Sequence, residues 1–156
     1  MTRQKWCIVQ PVNSFPCEVF SEEETMTYVD YFGSDKNILI IEVLEYPEFS
    51  LSKALKKKEV AAVGDSFLAL DDYGSGFNDM GKVKILDPHI IKIERSLLSG
   101  IDTNVEKQKN CKGIIESMHA LGKKVVAEGV ETKEEFEYLL EIGADFFQGY
   151  YMARPE

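Results

Sequence analysis

The sequence predicts an α/β domain built on a mainly parallel sheet, and three observations carry that expectation. Stretches rich in β-formers alternate with helix-periodic ones along the chain. The best strand candidates are continuous apolar runs, as in Asn37-Ile38-Leu39-Ile40-Ile41-Glu42-Val43, which suits strands covered on both faces. Acidic residues recur at the ends of those runs, on the side of a parallel sheet where ligands collect.

Taken in order, Cys7-Ile8-Val9 is a short β-prone run expected to stop at Pro11. Ser21-Glu22-Glu23-Glu24 reads as a capping box, with Ser21 as N-cap and Glu24 reaching back to it. Its helix runs through Tyr28 and Tyr31 to about Phe32 and ends at Gly33. The strand at 37–43 follows, then a weaker helix over 51–59. Phe67-Leu68-Ala69-Leu70 is a strand leading into Asp71-Asp72-Tyr73-Gly74-Ser75-Gly76. Ile90-Ile91-Lys92-Ile93-Glu94 is the next. A long helix spans roughly 105–120, with Gly122 where a C-terminal cap belongs. Lys124-Val125-Val126-Ala127-Glu128-Gly129 is a strand ending in a turn. Thr132-Lys133-Glu134-Glu135 forms a second capping box, and its helix stops at Gly143. A strand over 145–151 closes the pattern, giving about six strands separated mostly by helices.

Composition bounds the rest. The chain has 156 residues, 44% hydrophobic and 29% charged, as expected of one globular domain spanning 1–156. A complete (β/α)₈ barrel typically needs about 250 residues, so only an incomplete one is within reach. With 18 Lys+Arg against 27 Asp+Glu the net charge is -9, which argues against DNA or RNA as a partner. The run Lys56-Lys57-Lys58 is followed by Glu59 and reads as a solvated helix face. Cys7, Cys17 and Cys111 form no CxxC pair and suit reduced thiols. No apolar run approaches the ~18 residues of a membrane span, and the N-terminal residues lack a signal-peptide core. A cytoplasmic protein without a membrane segment is expected.

Chemistry concentrates at the strand ends. Glu42 and Glu45, Asp71 and Asp72, Glu128 and Gln148 fall at or just past the ends of successive strands. Lys92 interrupts an apolar strand, so it must be buried and needs a carboxylate partner. Each acid alone could cap a helix or sit in a turn, and Lys92 alone could be a structural ion pair. Together, acids crowded onto one rim repel, and a divalent cation with oxygen ligands, Mg²⁺ or Mn²⁺, relieves that repulsion. The reaction class this suggests is phosphate-ester hydrolysis by a metal-activated water, with Lys92 neutralising charge or taking a proton. His89 and His119 read as surface residues, and no P-loop or dinucleotide-binding glycine pattern occurs.

Four motifs then match a family in order and spacing. Asp71-Asp72-Tyr73-Gly74-Ser75-Gly76-Phe77, Ile91-Lys92-Ile93-Glu94-Arg95-Ser96, Val126-Ala127-Glu128-Gly129-Val130-Glu131-Thr132 and Gln148-Gly149-Tyr150-Tyr151 with Arg154-Pro155 resemble the EAL-domain family of bacterial cyclic di-GMP phosphodiesterases. Glu42-Val43-Leu44-Glu45 is similar to that family's strand motif with two glutamates. The resemblance is clear over 38–156, whereas 1–37 is divergent or truncated. It implies an incomplete TIM-like (β/α) barrel of the EAL type. It implies metal binding by Glu42, Asp71 and Asp72, and catalytic roles for Lys92 and Glu128. Glu131 would brace the loop after Asp72 and couple it to dimerisation, while Gln148, Gly74 and Arg95 would meet the substrate. The implied reaction is Mg²⁺- or Mn²⁺-dependent opening of cyclic di-GMP to the linear dinucleotide, by a homodimer.

The departures lie at the N-terminal side. No Glu-Ala-Leu tripeptide occurs in the sequence, and that motif's glutamate is a metal ligand in the family. Either Asn13 stands for the family's metal-binding asparagine, or Gln10-Pro11-Val12 corresponds to the Gln-Pro-Ile of the first strand with later segments deleted. Two functional classes therefore remain: an active phosphodiesterase, and an inactive module that binds cyclic di-GMP or a protein partner.

Overall fold

Strand β1 (Ile8–Ser14) pairs with β2 (Asn37–Val43), and β3 (Phe67–Tyr73), β4 (Ile90–Ile93), β5 (Lys124–Glu128) and β6 (Phe146–Gln148) follow in sequence order, every pairing parallel. The computed structural model describes residues 8–15, 18–32, 37–63, 66–74, 76 and 78–153. Cys7, Cys17, Gly33, Ser75, Phe77, Arg154 and Pro155 lie outside the described residues. Helices α1 (Glu22–Phe32), α2 (Leu51–Val63), α3 (Met80–Leu86), α4 (Arg95–Leu98), α5 (Val105–Ala120) and α6 (Lys133–Glu141) carry the crossovers that parallel pairing requires. The result is a curved, incomplete (β/α) barrel, as the sequence predicts.

Residue alternation assigns the two faces. Leu39, Ile41 and Val43, Leu68 and Leu70, Ile91 and Ile93, and Val125 and Ala127 are buried. They belong to one core with Val60 of α2, Val83 and Leu86 of α3, Ile115 and Met118 of α5 and Leu139 of α6. The intervening residues Ile40, Glu42, Phe67, Ala69, Ile90, Lys92, Lys124, Val126, Phe146 and Gln148 line a cavity of about 550 Å³ on the opposite, concave face. Side chains on a strand point alternately to its two faces, so a one-residue shift in register would exchange these sets.

Local chemistry explains most boundaries. In the first capping box the Ser21 N–H donates to Glu24 Oε2 at 2.8 Å and the Glu24 N–H to Ser21 Oγ at 3.2 Å. The second is also reciprocal: Glu135 N–H donates to Thr132 Oγ1 and Thr132 N–H to Glu135 Oε2. Helix α5 covers the residues predicted for it, and Gly122, at φ +72°, closes its C-terminus with N–H donation to the His119 carbonyl. His89 and His119 are exposed, as predicted. Cys111 is a free thiol, and burial pushes its pKa up to about 12.

Four expectations need correction. β1 does not stop at Pro11 but runs on to Ser14, because β1 is the edge of the described sheet and an edge strand tolerates a missing N–H. Helices α3 and α4 were not predicted. α3 is only seven residues long and contains Gly81, but the Asp79 carboxylate accepts from the Gly81 and Lys82 N–H groups and starts it. Lys57 is not solvated: it is 5% exposed and donates to Ser14 Oγ, so the lysine run has one buried member. β6 ends at Gln148 rather than 151, and residues 149–152 form a turn in which the Tyr151 N–H donates to the Val130 carbonyl.

That turn explains Gly149. A Cβ there would lie 2.2 Å from the Val130 carbonyl oxygen and 2.4 Å from its nitrogen, both backbone atoms that cannot swing away. We expect Gly149→Ala to destabilise the fold by about 1–3 kcal/mol, as overpacked interiors typically do, measured by urea unfolding. A variant as stable as wild type would show that the 129–131 and 149–152 segments do not pack this closely in solution.

Candidate metal centre

The C-terminal ends of β2, β3, β4 and β5 converge on one ammonium group. Lys92 Nζ lies 3.1 Å from Glu42 Oε1, 2.9 Å from Asp71 Oδ1 and 2.8 Å from Glu128 Oε1. Strand order and parallel register make this convergence: Glu42 pairs beside Ala69, Lys92 beside Val126 and Glu128 beside Gln148. The Lys92 side chain is 7% exposed and its three acids 12–15%, so the cluster is shielded from solvent. The sequence-based requirement that a buried Lys92 find a carboxylate is met three times over.

Asp72 arrives by a different route. The β3–β4 register shifts between Leu70 and Tyr73, and Asp72 takes φ +48°, the left-handed region that non-glycine residues rarely enter. Asp71, Asp72 and Glu128 thereby each present a carboxylate oxygen within 4.8 Å of the other two. Asp71 Oδ1 is buried and, among the described residues, receives no aligned hydrogen bond, although Lys92 stands beside it. An under-satisfied buried oxygen in an all-oxygen cluster fits a hard divalent cation, and Asp71, Asp72 and Glu128 are the residues that could hold one, with Glu42 across Lys92.

The electrostatics agree. Burial works against the charge of Lys92, but the adjacent Glu128 and Asp71 carboxylates prevail and hold its pKa above the ordinary lysine value. Burial pushes Glu128 up to about 7, opposed by Lys92 and reinforced by Asp71 and Asp72. Burial likewise raises Asp72, with Asp71, Glu45 and Glu94 adding like-charge repulsion. Three carboxylates thus share one ammonium with Asp72 beside them, an excess of negative charge that a divalent cation would balance.

The remaining predicted residues lie around this centre. Gln148 sits opposite Glu128 and lines the concave cavity with Glu42 and Lys92. Gly74, at φ +94°, approaches Leu97 so closely that a Cβ would lie 2.6 Å from Leu97 Cδ1. Arg95 and Glu131 form a separate ion pair, Nη1 to Oε1 at 2.6 Å, with the arginine stem packed over Gly129. Asn13, one of the two N-terminal alternatives, stands in β1 at the register position of Glu42.

Sequence reasoning read Glu135 only as a helix cap and did not single out Asn78. Glu135 is buried, and beyond its cap it accepts from the Gly100 and Glu131 N–H groups, which ties the turn after α4 to the loop after β5. Asn78 is 1% exposed and donates from Nδ2 to the Asp71 carbonyl at 2.5 Å. The capping-box spacing marks Glu135 only as a helix cap, and a loop asparagine is ordinary in sequence.

A parallel barrel with a carboxylate–lysine rim defines the class. Within it, the EAL domain family matches residues 12–155, and the chain belongs to that family. Cyclic di-GMP phosphodiesterase PdeL of Escherichia coli (strain K12) is 29% identical over 140 residues, 86% of this chain and 37% of its own length. An EAL domain protein from Listeria monocytogenes EGD-e superposes with a TM-score of 0.78 at 31% identity, over 93% of this chain and 59% of that one. A manganese and cyclic di-GMP complex of Klebsiella pneumoniae BlrP1 superposes at 0.76 with 27% identity, over 90% and 37%. The chain therefore spans about a third of the length of the curated relative and just over half of the Listeria structure.

Lys92 is also a structural necessity. In Lys92→Met three buried carboxylates lose their shared counter-charge, and we expect about 3–5 kcal/mol of destabilisation in metal-free protein. The sign with pH follows from Glu128. A carboxyl whose folded pKa is raised opposes folding at pH above that value and is relieved as pH falls through about 7. Urea unfolding of this variant should show a larger deficit at pH 8 than at pH 5.5. A deficit independent of pH would show that the acids are compensated elsewhere.

Proposed function

We propose that this chain acts in cyclic di-GMP signalling as a metal-dependent phosphodiesterase, a single EAL-like domain over residues 1–156 that opens cyclic di-GMP to the linear dinucleotide when its ligand set is complete. The observation that carries the reading is the gathering of Asp71, Asp72 and Glu128 within 4.8 Å, beside Glu42 and Lys92, in a chain of this family. Asp71, Asp72, Glu128 and Glu42 would hold Mg²⁺ or Mn²⁺. A bound divalent ion supplies Lewis acidity toward a phosphate oxygen and lowers the pKa of water.

The protein's own groups divide the remaining work. Lys92 stands among three carboxylates that favour its charged form, which supports neutralising the phosphate over taking a proton as its role. Glu128 would belong to the same metal and water site, and its carboxylate holds Lys92 Nζ at 2.8 Å. Gln148 would offer an amide to the substrate from the end of β6, and Gly74, packed against Leu97, would shape the loop after β3 beside it. Arg95, held by Glu131, presents a guanidinium beside the loop after β5. The homodimer of the family belongs to the same reading, with Glu131 as the link between loop and interface.

A second reading is favoured by one sequence fact: no Glu-Ala-Leu tripeptide occurs, so a ligand of the family is missing. On it, the chain binds cyclic di-GMP without cleaving it. Incubation of purified protein with cyclic di-GMP and Mn²⁺ separates the two. Linear product that falls at least ~10²-fold in Lys92→Ala supports the enzyme, on the scale of losing one electrostatic stabiliser. Calorimetric binding with no turnover selects the binding module, and neither binding nor turnover overturns both.

A further inference from the structure

We propose that Asn78 is a positioning residue for the Asp71-Asp72 pair, setting the peptide unit between the two acids and through it their joint affinity for a divalent cation. The inference rests on the metal reading of the site given above. The carbonyl of Asp71 belongs to the peptide that connects Asp71 to Asp72, so its orientation fixes the φ of Asp72. That φ is +48°, in the left-handed region that residues other than glycine rarely adopt. The break in β3–β4 register falls at this peptide. Here the carbonyl takes a hydrogen bond from Asn78 Nδ2 at 2.5 Å. Without that bond, Asp72 would relax toward the right-handed region and its carboxylate would leave the position that brings it within 4.8 Å of Asp71 and Glu128.

The surroundings show why the residue is an asparagine. Its Oδ1 accepts from Lys82 Nζ at 2.9 Å, and its own backbone carbonyl accepts from the Gly74 N–H at 3.1 Å. Lys82 can only donate and the Asp71 carbonyl can only accept, so the amide orientation is determined. An aspartate of the same shape would set a carboxylate oxygen against the carbonyl. Lys82 itself lies over the Phe49 ring, 4.8 Å from its centroid, which fixes the far end of the strap. A buried side chain thus ties helix α3 to the one backbone unit on which two of the three clustered acids depend.

The test measures Mn²⁺ affinity by calorimetry on wild type, Asn78→Ala, Asn78→Asp and Asp79→Ala, with thermal unfolding in chelator for each. Asp79→Ala is the control, because it removes the α3 cap and its stability without touching the Asp71 carbonyl. We expect both Asn78 variants to bind Mn²⁺ about 10–100-fold more weakly, as loss of outer-shell partners does. Asp79→Ala should lower the melting temperature and keep wild-type affinity within about twofold. Folded Asn78 variants with wild-type affinity would overturn the inference, as would an Asp79→Ala affinity loss equal to theirs. Failure of both Asn78 variants to fold would also overturn it, since the residue would then be purely structural. Absence of Mn²⁺ binding by wild type would overturn the metal reading and this inference together, an outcome distinct from the others.

Discussion

The interaction on which the rest depends is the sharing of one buried ammonium by three carboxylates from three different strands. Moving an isolated carboxylate out of water costs several kcal/mol even after relaxation, so Glu42, Asp71 and Glu128 can be buried together only because Lys92 stands among them. The arrangement is exacting about register. Lys92 lies between Ile91 and Ile93, both fully buried on the helix-covered face. A slip of one residue would drive the ammonium into that core and bring an isoleucine among the acids. Hydrophobic packing on one face and charge balance on the other therefore specify the same strand alignment, and each holds the other in place.

How far this could be read from the sequence follows from where each signal resides. The strand at Asn37–Val43 and helix at Val105–Ala120 were legible to the residue, because long apolar runs and cap residues are local facts. Lys92 within Ile-Ile-Lys-Ile announced a buried ion pair, since nothing but a charge partner makes that position tolerable. The partners were legible as a set through their places at successive strand ends, but their number was not, because it depends on how the sheet curves. α3 escaped notice because it is short, contains Gly81 and owes its start to one carboxylate. Lys57 escaped because a charge run carries no mark of which member faces inward.

The structure also separates what is fixed by strands from what is fixed by loops. Glu42, Lys92 and Glu128 are set by ladder register and cannot move without breaking the sheet. Asp72 lies beyond the register break, in a backbone conformation it would not choose, and its placement falls to side-chain hydrogen bonds from the segment that follows. The buried Asn78 amide holds the Asp71 carbonyl, while the exposed Asp79 separately caps α3. The same division appears after β5, where Glu135 holds the Gly100 and Glu131 N–H groups and Arg95 closes on Glu131.

This division bears on why the cluster can survive in a chain that lacks the family's name-giving tripeptide. The strand-borne acids and lysine satisfy one another electrostatically whether or not catalysis occurs, so folding stability alone is enough to retain them. Asp72 is less well compensated: burial, then repulsion by Asp71, Glu45 and Glu94, raises its pKa against the opposing pull of Lys92, and its φ is +48°. A protein that needed only a folded barrel would gain by relaxing that residue. Its placement, together with the loop chemistry that enforces it, is the part of the site that a bound cation would compensate.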